Sequence, residues 1–284
     1  MKVIYRPEQV ATSQSYSPSA LKPRLIVADW KIDSKINMEI CSFEPVDAQI
    51  IALAHDAAFV RKVLACEIDN GFGTRDADVA ASLPYTSGSM VAAAEYAVLH
   101  REAVCSPTSG FHHATFDTAM AYCTFNGLMV AALALKEANL VNRVGIIDCD
   151  AHYGNGTDDI ISQRRINWIK HHTFGKHFYY AEDAQAGRFE AWLEKAISRC
   201  QNCDLILYQA GADPHMDDPL GGILTTKQMS WRDRTVFERL GHKPLVWNLA
   251  GGYQLANGLT ETQKREPVLA LHRETAQLHT AILG

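Results

Sequence analysis

The 284-residue sequence has no apolar run approaching the length needed to span a bilayer, and no block of like charge. Its 27 basic residues stand against 32 acidic ones, a net charge of −5. That leaves no electrostatic footprint for nucleic acid or for an anionic membrane surface. The opening stretch MKVIYRPEQV carries an apolar run too short for a secretory signal. Internal repeats, low-complexity segments and convincing linkers are also missing, so one domain over residues 1–284 is expected. The seven cysteines are odd in number and scattered, several of them inside apolar runs. They read as free thiols in a reducing compartment. Cys200 and Cys203 in CQNC have the spacing of a metal knuckle but no second ligand pair, so they read as packing residues. The expectation is a cytoplasmic protein with no nucleic-acid or membrane partner; a homo-oligomer is compatible with it.

What the chain does have is 47% hydrophobic and 9% aromatic residues, enough for a sizeable core. Short β-like runs at 2–5, 102–107, 143–148, 166–170, 204–210 and 244–250 are the expected strands. Helical patterns are expected over about 46–66, 87–100, 120–140, 187–199, 226–240 and 266–282, with a Ser/Pro-rich loop at TSQSYSPSALKP. Strands that are apolar almost throughout have both sheet faces covered. The fold class is therefore α/β, with a mainly parallel open β-sheet flanked by helices.

In open sheets of this kind ligands bind beyond the carboxyl ends of the strands. Four polar clusters fall there: SGFHHA (109–114), DCDAHYGNG (148–156), AGADPHMDDP (210–219) and AGGY (250–253). Asp148, Asp150 and His152 alternate, so on an extended strand they share one face. Two acids and an imidazole converging in a dry site are costly unless a cation compensates them. Asp150 and His152 thus read as metal ligands, with Asp213 from the next apolar strand as a third. Such a set leaves a coordination position open, the pattern of a catalytic zinc. A metal there would acidify a bound water and polarise a carbonyl. Thr157 or Asp158 is expected to cap the helix that follows. The adjacent His112 and His113 are candidates for proton transfer, and Asp148 is placed to orient one of them and Asn155 the other. Tyr253, carried by Gly251 and Gly252, is a candidate donor to a developing oxyanion.

Together these clusters resemble the zinc-dependent histone deacetylase superfamily, which includes acetylpolyamine amidohydrolases and has an arginase-like α/β fold. The matching stretches are GFHHATFDTAMAYCTFNGLMVAA, GIIDCDAHYGNGT, GADPHMDDPLGG and NLAGGY, in family order. The similarity is good over about 105–160 and 205–253 and loose in the first hundred residues. The resemblance implies one zinc ion per chain on Asp150, His152 and Asp213. It implies His113 as general base and acid, His112 held by Asp148 as electrostatic support, and Tyr253 as the donor to the oxyanion. Tyr122 would form one aromatic wall of the substrate tunnel, with Tyr179 or Tyr180 opposite. Gly251 and Gly252 would lie along the bound substrate. A monovalent cation, usually potassium, would bind Asp148 and the carbonyls of Asp150 and His152.

The chain departs from the family in places. The usual serine-containing segment after the strand at 166–170 is replaced by KHHTFGKHFYYAEDAQAGRF, which is shorter and lacks prolines. The acidic rim residue of many relatives has only Asp76 and Asp78 as nearby candidates. Leu220 stands where a polyamine-selective relative carries a glutamate, and an apolar side chain cannot pair with a distal ammonium. The expected substrate is therefore acetyl-lysine in proteins or peptides, ahead of acetylated polyamines. A manganese ureohydrolase is the remaining alternative, but residue 154 is Gly and Asp213 is followed by Pro214 and His215, so a second metal would lack bridging carboxylates.

Overall fold

The computed structural model describes residues 1–13 and 15–284. In chain order it runs β1 (Lys2–Ile4), α1 (Lys22–Ile32), β2 (Glu39–Cys41), α2 (Ala48–Ile51), α3 (Ala57–Leu64), α4 (Ala77–His100) and β3 (Ala103–Cys105). It continues through α5 (Gly127–Glu137), β4 (Val144–Asp148), α6 (Asn155–Gln163), β5 (Ile169–Thr173), α7 (Arg188–Cys200), β6 (Leu205–Gln209), α8 (Thr226–Leu240), β7 (Leu245–Asn248) and α9 (Glu261–Leu283). The seven strands form one sheet in the order β2-β1-β3-β7-β6-β4-β5. Each of its pairings is parallel.

Alternation along the central strands divides the apolar side chains between two cores. Ile206, Tyr208, Leu245 and Trp247 pack on one face with Trp30, Phe189 and Phe237. Leu205, Leu207 and Val246 pack on the other with Ile51, Met90 and Met129. Residues of α1, α7, α8 and α9 cover the first face, and those of α2 to α6 cover the second. Burial of each such side chain contributes roughly 1.5–3 kcal/mol. The polar loops are left at the carboxyl ends of β3, β4, β6 and β7, as the α/β pattern implies.

Several boundaries differ from the sequence reading, each for a local reason. The helix expected over 46–66 is two helices, because Asp56 accepts from the Phe59 amide and starts α3 afresh. The one expected over 120–140 shortens to α5, since Asn126 caps it and Ala121 and Tyr122 hold positive φ in a tight turn. The helix expected at 87–100 begins ten residues earlier, at Ala77, and α1 and β2 lie in a region given no element by the sequence reading, α1 starting at the end of the Ser/Pro-rich loop. The strand expected at 166–170 sits at 169–173. The helix α6 is capped at Gly154, so Thr157 and Asp158 lie inside it rather than at its cap.

A buried histidine joins three of these segments. His55 Nδ1–H donates to the Thr115 carbonyl (2.8 Å), while its Nε2 accepts from the Asn126 amide (2.8 Å). Burial pushes its imidazole down to about 4, and His279, which accepts from Trp247 Nε1, is pushed down to about 3. Both folded values lie below the ordinary value of 6.5. Their contribution is therefore complete above pH 6.5 and lost as pH falls toward 4, by about 3 kcal/mol per group. Unfolding free energy measured in urea should fall across that interval. His55→Gln should be less stable at pH 7.5 yet show a flatter acid slope; an unchanged slope would contradict the assignment.

Candidate metal centre and active-site cleft

The site begins at Asp148, the fully buried last residue of β4. Its Oδ2 accepts from His112 Nδ1 (2.8 Å), and its Oδ1 accepts from Gln209 Nε2 (2.9 Å) and from the Asp150 amide (3.2 Å). The strand does not continue through Asp150 and His152 as its alternation suggested. It ends at Asp148, and a bend brings the next residues round, with the His152 amide donating to Asp150 Oδ1 (3.0 Å). Asp213 arrives from the loop after β6, which pairs directly with β4.

His152 Nδ1 lies 3.0 Å from both Asp150 Oδ1 and Asp213 Oδ2. One ligand atom from each of the three residues lies within 4.8 Å of the others. A Cβ at Gly251 would come within 2.3 Å of Asp213 Oδ2 and 2.8 Å of Asp150 Oδ2, so only glycine permits the loop to close here. The Gly251 amide instead donates to Asp150 Oδ2 (2.8 Å). Burial, reinforced by Asp150, raises the Asp213 carboxyl to about 7. Burial alone would depress His152, but Asp150 and Asp213 outweigh it and raise the imidazole to about 11. Protons thus gather where positive charge is needed. Two buried carboxylates facing a partly exposed imidazole suit a divalent ion of the zinc type.

His112 and His113 follow Gly110 and Phe111, both at positive φ. Their rings lie 4.1 Å apart, and they are held from opposite sides. Asp148 holds His112, and Asn155 Oδ1 holds His113 Nδ1 at 2.6 Å. Burial opposes a charge on His112, but Asp148 and Asp150 overcome it and raise the group to about 9. Burial and then the neighbouring His112 push His113 down to about 4. At neutral pH the pair therefore holds one cationic and one neutral imidazole, and the neutral one can accept a proton.

Tyr253 is 7% exposed, with its ring centroid 6.5 Å from His152 and 6.1 Å from Tyr122. Tyr16 stacks on it from outside at 6.3 Å. Burial, with Asp150 and Asp213, raises its phenol well above 10, so it keeps its proton. Asp218 accepts from the Tyr253 amide (2.7 Å). The buried Lys22 donates to the carbonyls of Ala250 and Gly251, the latter at 2.9 Å. Sequence reasoning missed Lys22, which opens α1 in a segment read as loop and carries no local motif. It also missed Gln209, Asp218 and His171.

An open cleft of about 360 Å³ is lined by His113, His152, Phe178, Tyr179, Leu220 and Ile223, among others. Tyr179 therefore flanks the site, whereas Tyr180 is 71% exposed and outside this lining. Tyr122 is also outside this lining and packs against Phe72 and Tyr253. Asp76 sits at the N-cap position of α4 but accepts from the Thr74 hydroxyl rather than from the helix, and Asp78 lies in the first turn of that helix. Cys200 and Cys203 are buried in the first core, as packing residues. His215, beside the expected second-metal position, is bonded to Thr226 (2.8 Å) and Gln254 (3.1 Å). Among the described residues the cluster around Asp150 is the one suited to a metal.

The chain resembles rice (Oryza sativa subsp. japonica) "Histone deacetylase 10, chloroplastic", with 26% identity over 267 residues, covering 77% of this chain and 60% of that protein. "Histone deacetylase 6" of Caenorhabditis elegans is 26% identical over 176 residues, covering 51% of this chain and 18% of that one. The chain thus spans less than two thirds of the length of both relatives. Among solved structures, the acetylpolyamine aminohydrolase from Burkholderia pseudomallei superposes with a TM-score of 0.75 at 17% identity over 100% of both chains. The HDA15 HD domain gives 0.70 at 19% identity, covering 98% of this chain and 87% of that one. Both likenesses concern the fold, and the fold class expected from the sequence agrees with them. Among the described residues no helix is long and apolar enough to cross a membrane. The family model described as "Histone deacetylase domain" matches residues 20–188, more than half the chain, and this protein belongs to the histone deacetylase family.

Proposed function

We propose that residues 1–284 form one catalytic domain, a zinc-dependent deacetylase that hydrolyses the amide between an acetyl group and the side-chain amine of lysine in proteins or peptides. The observation that carries this reading is the convergence of Asp150, His152, Asp213, His113 and Tyr253 on one site. One zinc ion on the first three would supply a Lewis acid that acidifies water and polarises the acyl carbonyl. His113, fixed at Nδ1 by Asn155, leaves Nε2 to take a proton from the attacking water and return it to the leaving nitrogen. His112, fixed at Nδ1 by Asp148, leaves Nε2 to hold that water. The Tyr253 hydroxyl donates to the acyl oxygen as it gains negative charge.

The cleft lining supports the choice of substrate. Phe178, Tyr179, Leu220 and Ile223 offer apolar surface for an alkyl stem. Among the described residues that line it none is acidic, so the second ammonium of a polyamine would lack a partner. The zinc-loaded protein should turn over an acetyl-lysine peptide faster than acetylputrescine or acetylspermidine. His113→Ala should lower that rate about 10²–10⁴-fold. Faster polyamine hydrolysis would overturn the lysine reading, and inertness toward all three with zinc bound would overturn the deacetylase reading.

A further inference from the structure

We propose that the side chain of His171 stands in the place a monovalent cation would take beside Asp148, so that this site is assembled without potassium. The inference does not depend on which amide is cleaved. The family resemblance puts such a cation against Asp148 and the carbonyls of Asp150 and His152, and the family's usual serine-containing segment follows the strand expected at 166–170. Here that strand is β5, and the residue it turns toward Asp148 is a histidine.

The imidazole is wedged between two carboxylates, and its side chain is 2% exposed. Its Nδ1 bonds Asp158 Oδ1 at 2.8 Å, and its Nε2 edge faces Asp148 Oδ2 at 3.8 Å. Gly154 closes the remaining side. A Cβ there would fall 2.5 Å from Asp148 Oδ2 and 3.0 Å from His171 Cε1. The Asp148 carboxylate has about four acceptor directions. Three are used by His112, Gln209 and the Asp150 amide. His171 covers the approach that is left.

A large cation needs a shell of oxygens with clear space; even the smaller calcium keeps its six to eight ligands about 2.3–2.6 Å away. Around Asp148 that space is taken by a ring, a glycine backbone and N–H donors. The same ring does mechanical work a free ion could not. Asp158 belongs to α6, whose first residue, Asn155, holds His113. Lys176 and the Tyr153 hydroxyl grip the other oxygen of Asp158. His171 thus ties β5, β4 and α6 together under the active site.

The test is thermal melting of the zinc-loaded protein in KCl, NaCl and choline chloride at equal ionic strength, beside calorimetric titration with thallous ion as a potassium stand-in. The unsubstituted protein should melt within about 1 °C in all three salts and take up no thallous ion. His171→Ser, and His171→Asn should the serine variant fail to fold, exchange the ring for a small oxygen ligand. They should gain a saturable rise of about 2–4 °C in KCl alone. Potassium-specific stabilisation or thallous uptake by the unsubstituted protein overturns the proposal. So does a folded variant that gains nothing from potassium, because its niche would then never have been the cation's place. These readings are independent of turnover, so an inactive protein would leave them intact.

Discussion

Asp213→Asn is expected to lower zinc affinity about a thousandfold, the share of one ligand in a total binding free energy of about 10–16 kcal/mol. The change removes a negative charge while leaving the volume almost unaltered. It also turns an amide nitrogen or a weaker oxygen toward His152 Nδ1, which now faces Asp213 Oδ2 at 3.0 Å. The Asp213 Oδ1 that accepts from the Ala151 amide (3.2 Å) helps fix the bend carrying His152, so the remaining two ligands loosen as well. Competition against a fluorescent zinc chelator measures the loss directly. Deacetylation by the variant should be undetectable at zinc levels that saturate the unsubstituted protein. A variant that keeps one tightly held zinc would show that Asp213 is not a ligand.

Arg232→Leu should lower the unfolding free energy by about 3–5 kcal/mol, the usual cost of stranding a buried charge partner. Arg232 lies in α8, 1% exposed, and one side chain serves three groups. Its Nε donates to Asp233 Oδ1 (2.8 Å), and its Nη1 donates to the carbonyls of Gly211 (2.7 Å) and Cys149 (3.3 Å). Those carbonyls lie just before Asp213 and Asp150, so the guanidinium clamps from beneath both loops that carry the proposed ligands. Asp233 also accepts from the hydroxyls of Tyr208 and Thr275, and it cannot be left without its cation cheaply. Urea denaturation gives the size of the effect. Arg232→Lys should recover only part of it, because an ammonium lacks the planar fork that reaches three acceptors. A loss below about 1 kcal/mol would show that the clamp adds little.

Most of the architecture could be read from the chain because near-continuous apolar strands announce a parallel sheet, and the polar clusters fall where that sheet must end. What escaped has physical causes. The spacing of Leu53, Ala57, Val60 and Leu64 continues straight through the break at Asp56, so periodicity alone could not reveal two helices. Lys22 acts on backbone carbonyls 228 and 229 residues away, and Arg232 on carbonyls 21 and 83 residues away, and no short motif records such contacts. His171 was hidden by a three-residue shift of β5, which moved it from a loop into the strand beside Asp148. Asp148, Asp150, His152 and Asp213 were legible because a buried charge cluster is hard to explain otherwise. The bend that gathers them was not, since alternation had suggested a straight strand.

The amide of Gly251, bonded to Asp150, has a broader meaning. The same carboxylate proposed to hold the ion also tethers the loop whose next residue but one is Tyr253. The proposed metal site and the tyrosine hydroxyl are therefore parts of a single rigid jaw, and neither is expected to be retuned by substitution without shifting the other.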